Sequence, residues 1–283
     1  MAHNFLIIGQ GDIGLPVTNR LAGQGRAVTG LARGQRDGYD LHAKATFIQA
    51  DALELTADAV SPFTHIAIIV TPDEYNADAY KHTYYGISEH LANLADQLPN
   101  LERVVFISST GVYGQDEGQW VDVFTKPTEP KREASRYILQ AEQVLQSVYA
   151  DKAVIIRPSG IYGKERLMRI RKAKEANKEP MPIEHWSNRI MDTDLVNIVV
   201  NVLTLDNVVA LYLASDFAPV TSLELTNWLC EKLGHHKPPA NTRADDKESA
   251  SGKRVHSNVP LAWLEFPDWR AGYAHILQSM END

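Results

Sequence analysis

Gly9-Gln10-Gly11-Asp12-Ile13-Gly14 sets three glycines at GxGxxG spacing between the apolar run Phe5-Leu6-Ile7-Ile8 and an amphipathic stretch. That spacing suits one task, the cradling of a pyrophosphate. Gly9 permits a tight turn, Gly11 lets the backbone approach phosphate oxygens, and Gly14 lets a helix pack closely on the preceding strand. The N–H groups of the helix N-terminus, with Asp12 and Ile13 in the turn, then face the anion. A plain glycine turn is the alternative, but the strand-before, helix-after context selects a dinucleotide site.

The identity of the dinucleotide rests on the residues about twenty positions further on. An NAD site places Asp or Glu there to bind the ribose 2′-hydroxyl. This chain reads Val28-Thr29-Gly30-Leu31-Ala32-Arg33-Gly34-Gln35-Arg36, with no carboxylate. A guanidinium makes paired, charge-assisted hydrogen bonds to phosphate, so Arg33 and Arg36 predict NADP in preference to NAD. Two solvated loop arginines are the other reading. Asp51 and Ala52, after a third apolar run, are expected at the adenine edge. Val70 and Thr71, after a fourth, are expected over the cofactor, and Ser108 follows a fifth.

Positioning these residues takes repeated βα units. Strands are predicted over residues 5–8, 27–31, 46–49, 65–70, 103–107 and 153–156, and helices over 13–22, 73–97 and 133–149. Runs such as Val104-Val105-Phe106-Ile107 are continuously apolar, as strands buried on both faces of a parallel sheet must be. The expected fold class is α/β, a Rossmann doubly wound parallel sheet with a small C-terminal substrate lobe. The dinucleotide domain is placed at residues 1–160 and the lobe at 161–283, with late segments returning to the core. Residues 163–189 show no strand periodicity, residues 238–254 read as a polar loop, and helices are predicted over 222–233 and 271–280.

Composition excludes several classes. Of 283 residues, 44 % are hydrophobic and 23 % charged, ordinary for a globular protein. A net charge of −8 argues against a nucleic-acid partner, which needs a basic face to displace counterions. The apolar run at residues 5–8 is too short to span a membrane or to form a signal-peptide core. The single cysteine, Cys230, cannot close an internal disulfide, and its helical surroundings predict a buried thiol. A cytoplasmic location is expected. No HExxH and no Cys/His spacing suits zinc, so no metal site is expected.

Val104 to Gly114 (VVFISSTGVYG), Ile156 to Gly163 (IRPSGIYG), Asn188 to Leu195 (NRIMDTDL) and Lys253-Arg254 ahead of Ser257-Asn258 occur in this order. In these the chain resembles the extended short-chain dehydrogenase/reductases, the nucleotide-sugar epimerase/dehydratase group. The resemblance implies an NAD(P) cofactor, a nucleotide sugar or related phosphorylated small molecule as substrate, and a homodimer. It assigns catalysis to a Ser or Thr, which maps to Ser109, and to a YxxxK pair. Aligned on Glu142, that pair falls on Ala134 and Ile138, so the usual proton relay is absent. Tyr137 on the same helix is the displaced acid candidate, with a packing aromatic as the alternative. Met191 stands where the family has histidine. Ser159, Arg166, Arg189 and Arg254 are the expected substrate-binding residues, since Arg and Lys concentrate there in an otherwise acidic chain. An NADP-dependent epimerase/dehydratase-like oxidoreductase is the first functional expectation. A non-catalytic NADP-binding regulator or redox sensor is the alternative.

Overall fold

The computed structural model describes residues 3–176, 179–241 and 250–282. Its strands, in chain order, are β1 (Asn4–Ile8), β2 (Ala27–Ala32), β3 (Thr46–Gln49), β4 (His65–Ile68), β5 (Arg103–Ile107), β6 (Trp120–Val121) and β7 (Ala153–Pro158). Then come β8 (Gly160–Tyr162), β9 (His185–Ser187), β10 (Arg189–Met191), β11 (Leu211–Ala214), β12 (Val220–Thr221), β13 (Ser251–Gly252) and β14 (Arg254–Val255). Seven of them form one parallel sheet in the order β11-β7-β5-β4-β1-β2-β3. Strand order reverses between β1 and β4, the crevice where doubly wound sheets bind ligands beyond their carboxyl ends.

The described chain divides into two compact units. Residues 1–112, 129–158 and 195–212 form the first, and residues 113–128, 159–194 and 213–283 the second. The chain first leaves the first unit at residue 112, returns at 129 and leaves it again after 158, so 113–128 belongs with the later segments.

In the first unit, α1 (Gly14–Gly23) buries Val17, Thr18, Leu21 and Ala22 on one face and carries Pro16 in its first turn, where the missing N–H is harmless. A short helix α2 (Ala57–Val60) precedes β4. The stretch expected as one helix over 73–97 instead comprises α3 (Ala77–Tyr80), a π-helical turn (Lys81–Gly86) and α4 (Ile87–Asn93). Its apolar positions Tyr80, Tyr84, Ile87 and Leu91 keep a regular three-and-four spacing, so the inserted turn leaves no break in the pattern. Helix α5 (Glu133–Tyr149) buries Ile138, Ala141, Glu142, Leu145 and Tyr149. Glu142 is the exception on that apolar face, with 1 % exposure. Its carboxylate accepts from Arg157 Nε at 2.9 Å and Nη2 at 2.6 Å, and from the Ser108 hydroxyl. This buried cluster ties α5 to β7 and to the end of β5.

The second unit contains α6 (Met168–Lys174), α8 (Ser222–Leu233) and α9 (Trp269–Asn282), while α7 (Asp192–Thr204) begins in it and continues into the first. Helix α6 and strand β9 lie in the segment that showed no strand periodicity. Strands β13 and β14 interrupt the expected polar loop, of which residues 242–249 lie outside the described residues. Helix α8 starts on a threonine N-cap: Thr221 Oγ1 accepts from Glu224 N at 3.1 Å. It ends on Gly234 in the left-handed region, φ 68°. Cys230 is buried and donates to Ala173 O at 3.4 Å, and burial pushes its thiol pKa up, which suits a structural residue. Tyr162 stacks on Tyr273, ring centroids 4.3 Å apart. Asp194 accepts from Glu265 N and Phe266 N, pinning the approach to α9. Asp216 is fully buried nearby, and burial pushes its carboxyl up to about 8 against the opposing pull of Ala218 N and Arg189.

Two outcomes follow from these buried carboxyls. Glu142→Ala leaves the Arg157 guanidinium without its carboxylate and should lower unfolding free energy by about 3–5 kcal/mol in urea titration. A loss under about 1 kcal/mol, the range of an exposed pair, would refute the anchoring role. Asp216 holds its proton in the folded state up to about pH 8, whereas in the unfolded chain it loses it near about pH 4. Its contribution to stability therefore declines as pH rises between those values, then levels off. Asp216→Asn should remove that part of the slope, so its melting temperature gains on the wild type from pH 5 to 8. Parallel curves would contradict this.

Candidate functional site

The carboxyl ends of β1, β2, β3 and β4 open onto a cavity of about 410 Å³, a size that suits a small-molecule or cofactor site. The whole lining belongs to the first unit. Of the glycine motif, Gly9, Gln10 and Gly11 form part of the wall, while Asp12, Ile13 and Gly14 complete the turn into α1. Two of the glycines are required by the protein itself. Gly9 sits at φ +96°, where a Cβ would stand 2.0 Å from Ile69 O, and a Cβ on Gly14 would stand 1.9 Å from Gly9 O. Gly11 differs, because nothing lies within 4 Å of its would-be Cβ. Open space over Gly11, beside a helix start whose N-cap residue Ile13 makes no side-chain cap bond, fits a pyrophosphate.

Gln10 was not foreseen as a wall residue. Its Nε2 donates to Ile7 O at 3.0 Å, folding the side chain back across the sheet onto Gly30 of β2. A Cβ at Gly30 would meet the Gln10 amide at 2.7 Å. Gln10 is 5 % exposed, and its Oε1 has no hydrogen-bond partner among the described residues.

At the other end of the cavity stand Arg33 and Gly34, past β2, with Tyr39 beyond them. Arg33 Nη2 donates to Asp73 Oδ1 at 2.6 Å, an exposed pair in which the guanidinium holds the Asp73 carboxyl below its usual range. Arg36 is not brought to the wall: it lies exposed on the 3₁₀ turn Arg36–Gly38. Asp51 and Ala52 line the cavity, with the Asp51 carboxylate accepting from Leu53 N at 2.9 Å. Val70 and Thr71 line it too, after β4 ends at Ile68, two residues earlier than its apolar run predicts. His82, Thr83 and Ile87 complete the wall from the π-helical turn and the start of α4. Sequence reasoning missed these three, because a π turn hidden in a regular helical pattern gives no signal. Such turns often occur at functional sites.

Ser108, expected at the cofactor, donates its hydroxyl to buried Glu142. Ser109 is half-buried and its Oγ accepts from Gly111 N at 3.0 Å, leaving its own proton to donate. Ser135, on α5, lies close by: the would-be Cβ of Gly111 is 3.2 Å from Ser109 Oγ and 3.4 Å from Ser135 Oγ. Ile138, at the missing lysine's position, is buried. The Tyr137 hydroxyl is 3.4 Å from Glu133 Oε1, one turn back, and Lys81 Nζ is 5.9 Å from its ring centroid.

Within the second unit, the Ser159 hydroxyl donates to Ser215 Oγ at 3.2 Å. Arg166 is half-buried. Arg189 is 6 % exposed, with Nη1 donating to Asn188 O and Nη2 to Ser187 Oγ, and burial lowers its pKa to about 10. Gly160 makes room for it, since a Cβ there would stand 2.3 Å from Nη1. Arg254 lies between Trp186 and Trp120, 4.7 and 5.2 Å from their centroids, and donates Nε to Gly118 O at 2.7 Å. Arg189 and Arg254 thus both meet strand β9, at Ser187 and Trp186.

Comparison with known proteins places this arrangement. A candidate NAD-dependent epimerase/dehydratase of Methylobacillus flagellatus superposes with a TM-score of 0.77 at 29 % identity, covering 99 % of this chain and 100 % of that one. UDP-glucuronic acid 4-epimerase from Bacillus cereus, in complex with NAD, shares the fold at 15 % identity, TM-score 0.73, covering 97 % and 99 % of the two chains. Protein YeeZ of Escherichia coli (strain K12) is 25 % identical over 169 residues, which span 56 % of this chain and 59 % of YeeZ. The NAD dependent epimerase/dehydratase family matches residues 5–205, well over half of the chain, and the chain belongs to that family.

Proposed function

We propose that the protein is an NADP-binding oxidoreductase of epimerase/dehydratase type, acting on a nucleotide sugar or a related phosphorylated small molecule. One observation carries the cofactor reading: Arg33 lines the cavity just past β2, where residues 28–36 supply no carboxylate. The Bacillus cereus neighbour, an epimerase of a UDP-sugar, supports the substrate class. A bound nicotinamide supplies or accepts a hydride. The chain's part is to hold the pyrophosphate on Gly9–Gly11 and α1, and the adenosine end between Arg33, Asp51 and Val70-Thr71. Ser109 donates a hydrogen bond to the reacting carbonyl or hydroxyl, with Tyr137 as the proton donor in place of the missing YxxxK pair. Ser159, Arg166, Arg189 and Arg254 provide the positive and hydrogen-bonding groups for the substrate's phosphates.

A second reading, a non-catalytic NADP-binding regulator, is favoured by Ala134 and buried Ile138 and by the Tyr137 hydroxyl's approach to Glu133.

Calorimetric titration tests the cofactor. NADPH should bind more tightly than NADH, and Arg33→Ala should weaken NADPH by about tenfold or more through loss of charge-assisted bonds to phosphate. Tighter NADH binding, or an Arg33→Ala variant with unchanged NADPH affinity, would overturn the reading. Turnover of UDP-sugars, followed by nicotinamide absorbance and product chromatography, separates enzyme from regulator. It should be slow, and Ser109→Ala should lower it by about a hundredfold, the scale of a general acid–base contribution. Turnover that survives both Ser109→Ala and Tyr137→Phe would move the chemistry elsewhere, and tight NADPH binding with no turnover would favour the regulator.

A further inference from the structure

The charge around Arg33 is not what its position in the sequence suggests. Arg33 lines the cavity just past β2, the place that would meet the 2′ side of an adenosine ribose in a glycine-turn βαβ unit. Yet its guanidinium is already held by Asp73 at 2.6 Å. Asp73 comes from the segment after β4, two residues beyond Thr71 of the cavity wall. The bond therefore joins the loops after β2 and β4 beside the cavity. A second carboxylate, Asp51, lines the same end and acts on Arg33 through space. Arg36, which would restore the balance, stays exposed on its 3₁₀ turn away from the wall.

We infer that Asp73 is a specificity-determining residue for the cofactor, standing in for the carboxylate that β2 lacks and narrowing the preference that Arg33 creates. The inference rests on the dinucleotide reading of the cleft. Asp73 occupies one Nη2–H of Arg33, so a 2′-phosphate must compete with it for the guanidinium or take the remaining N–H donors. Either way it brings a dianion beside two carboxylates, an unfavourable like-charge arrangement. A 2′-hydroxyl needs no such competition, because it can donate to a carboxylate that Arg33 keeps in place. The arginine supplies attraction for the phosphate and Asp73 supplies a competing partner and repulsion, the two means by which a site separates close analogues. The cleft thus accepts both dinucleotides, with NADP favoured by less than a free arginine would give.

Titration of NADPH, NADH and 2′,5′-ADP against wild type, Asp73→Ala, Asp73→Asn, Arg33→Ala and the Arg33→Ala/Asp73→Ala double variant tests this. Both Asp73 variants should bind NADPH and 2′,5′-ADP about fivefold or more tightly. Neither should bind NADH more tightly than wild type, and in the Arg33→Ala background Asp73→Ala should tighten NADPH less. Asp73 is exposed, so melting temperature should be unchanged and folding does not confound the result. Wild type that binds NADPH while the Asp73 variants bind it equally or more weakly would overturn the role of Asp73 and leave the cofactor reading standing. Failure of every protein to bind either dinucleotide would overturn both.

Discussion

The buried carboxylate of Glu142 is the constraint around which the first unit is organised. An ionised group taken out of water is tolerated only when its hydrogen bonds are met, and here Arg157 and Ser108 meet them from β7 and the end of β5. Hydrophobic burial alone would press α5 against the sheet with freedom to slide or turn, because apolar contact is not directional. A forked guanidinium–carboxylate pair removes that freedom. It also decides the neighbourhood of the chain after β5: Ser109, next to an anchored Ser108, is held beside Ser135 on the anchored helix. The same pair explains Ser108's involvement, since its hydroxyl is part of the anchor.

Positive charge in the second unit is arranged differently from a surface patch. Arg189 lies folded into the interior on Gly160, and Arg254 is layered between two indole rings. Both are fixed by short backbone contacts and by strand β9. An arginine stacked or hydrogen-bonded in this way loses little further freedom on meeting an anion, which distinguishes it from a solvated lysine. Asp216, fully buried with its N–H donating to Arg189 O, lies in the same interior, and that burial pushes its carboxyl up.

Much of the architecture was legible because it depends on local patterns. Continuous apolar runs identify strands buried on both faces, and Gly9 and Gly14 announce a turn that no larger residue could make. Asp51 and Val70-Thr71 could be placed because strand ends in a parallel sheet point the same way. What escaped notice depends on contacts distant in sequence. Asp73 is 40 residues from Arg33, and nothing in either neighbourhood betrays their bond. The π turn that brings His82 and Thr83 to the cavity conserves the helical spacing around it. The short strands β8, β9 and β13 are too brief to show periodicity. Arg36 is near Arg33 in sequence, but it lies exposed on the 3₁₀ turn and is not among the residues that line the cavity.

Gln10, two residues past β1, folds back over Gly30 inside the neighbouring strand β2, the glutamine amide occupying the volume that a side chain at 30 would need. In evolutionary terms the two positions are epistatic. An alanine at 30 is unfavourable while glutamine remains at 10, and tolerable once a short residue replaces it. Shortening residue 10 first opens a gap over the glycine and frees the Ile7 carbonyl from its side-chain partner. Either order of substitution thus passes through a poorer intermediate. The pair should therefore travel together through descendants of this chain, and an engineered loop transplanted here must carry both residues or neither.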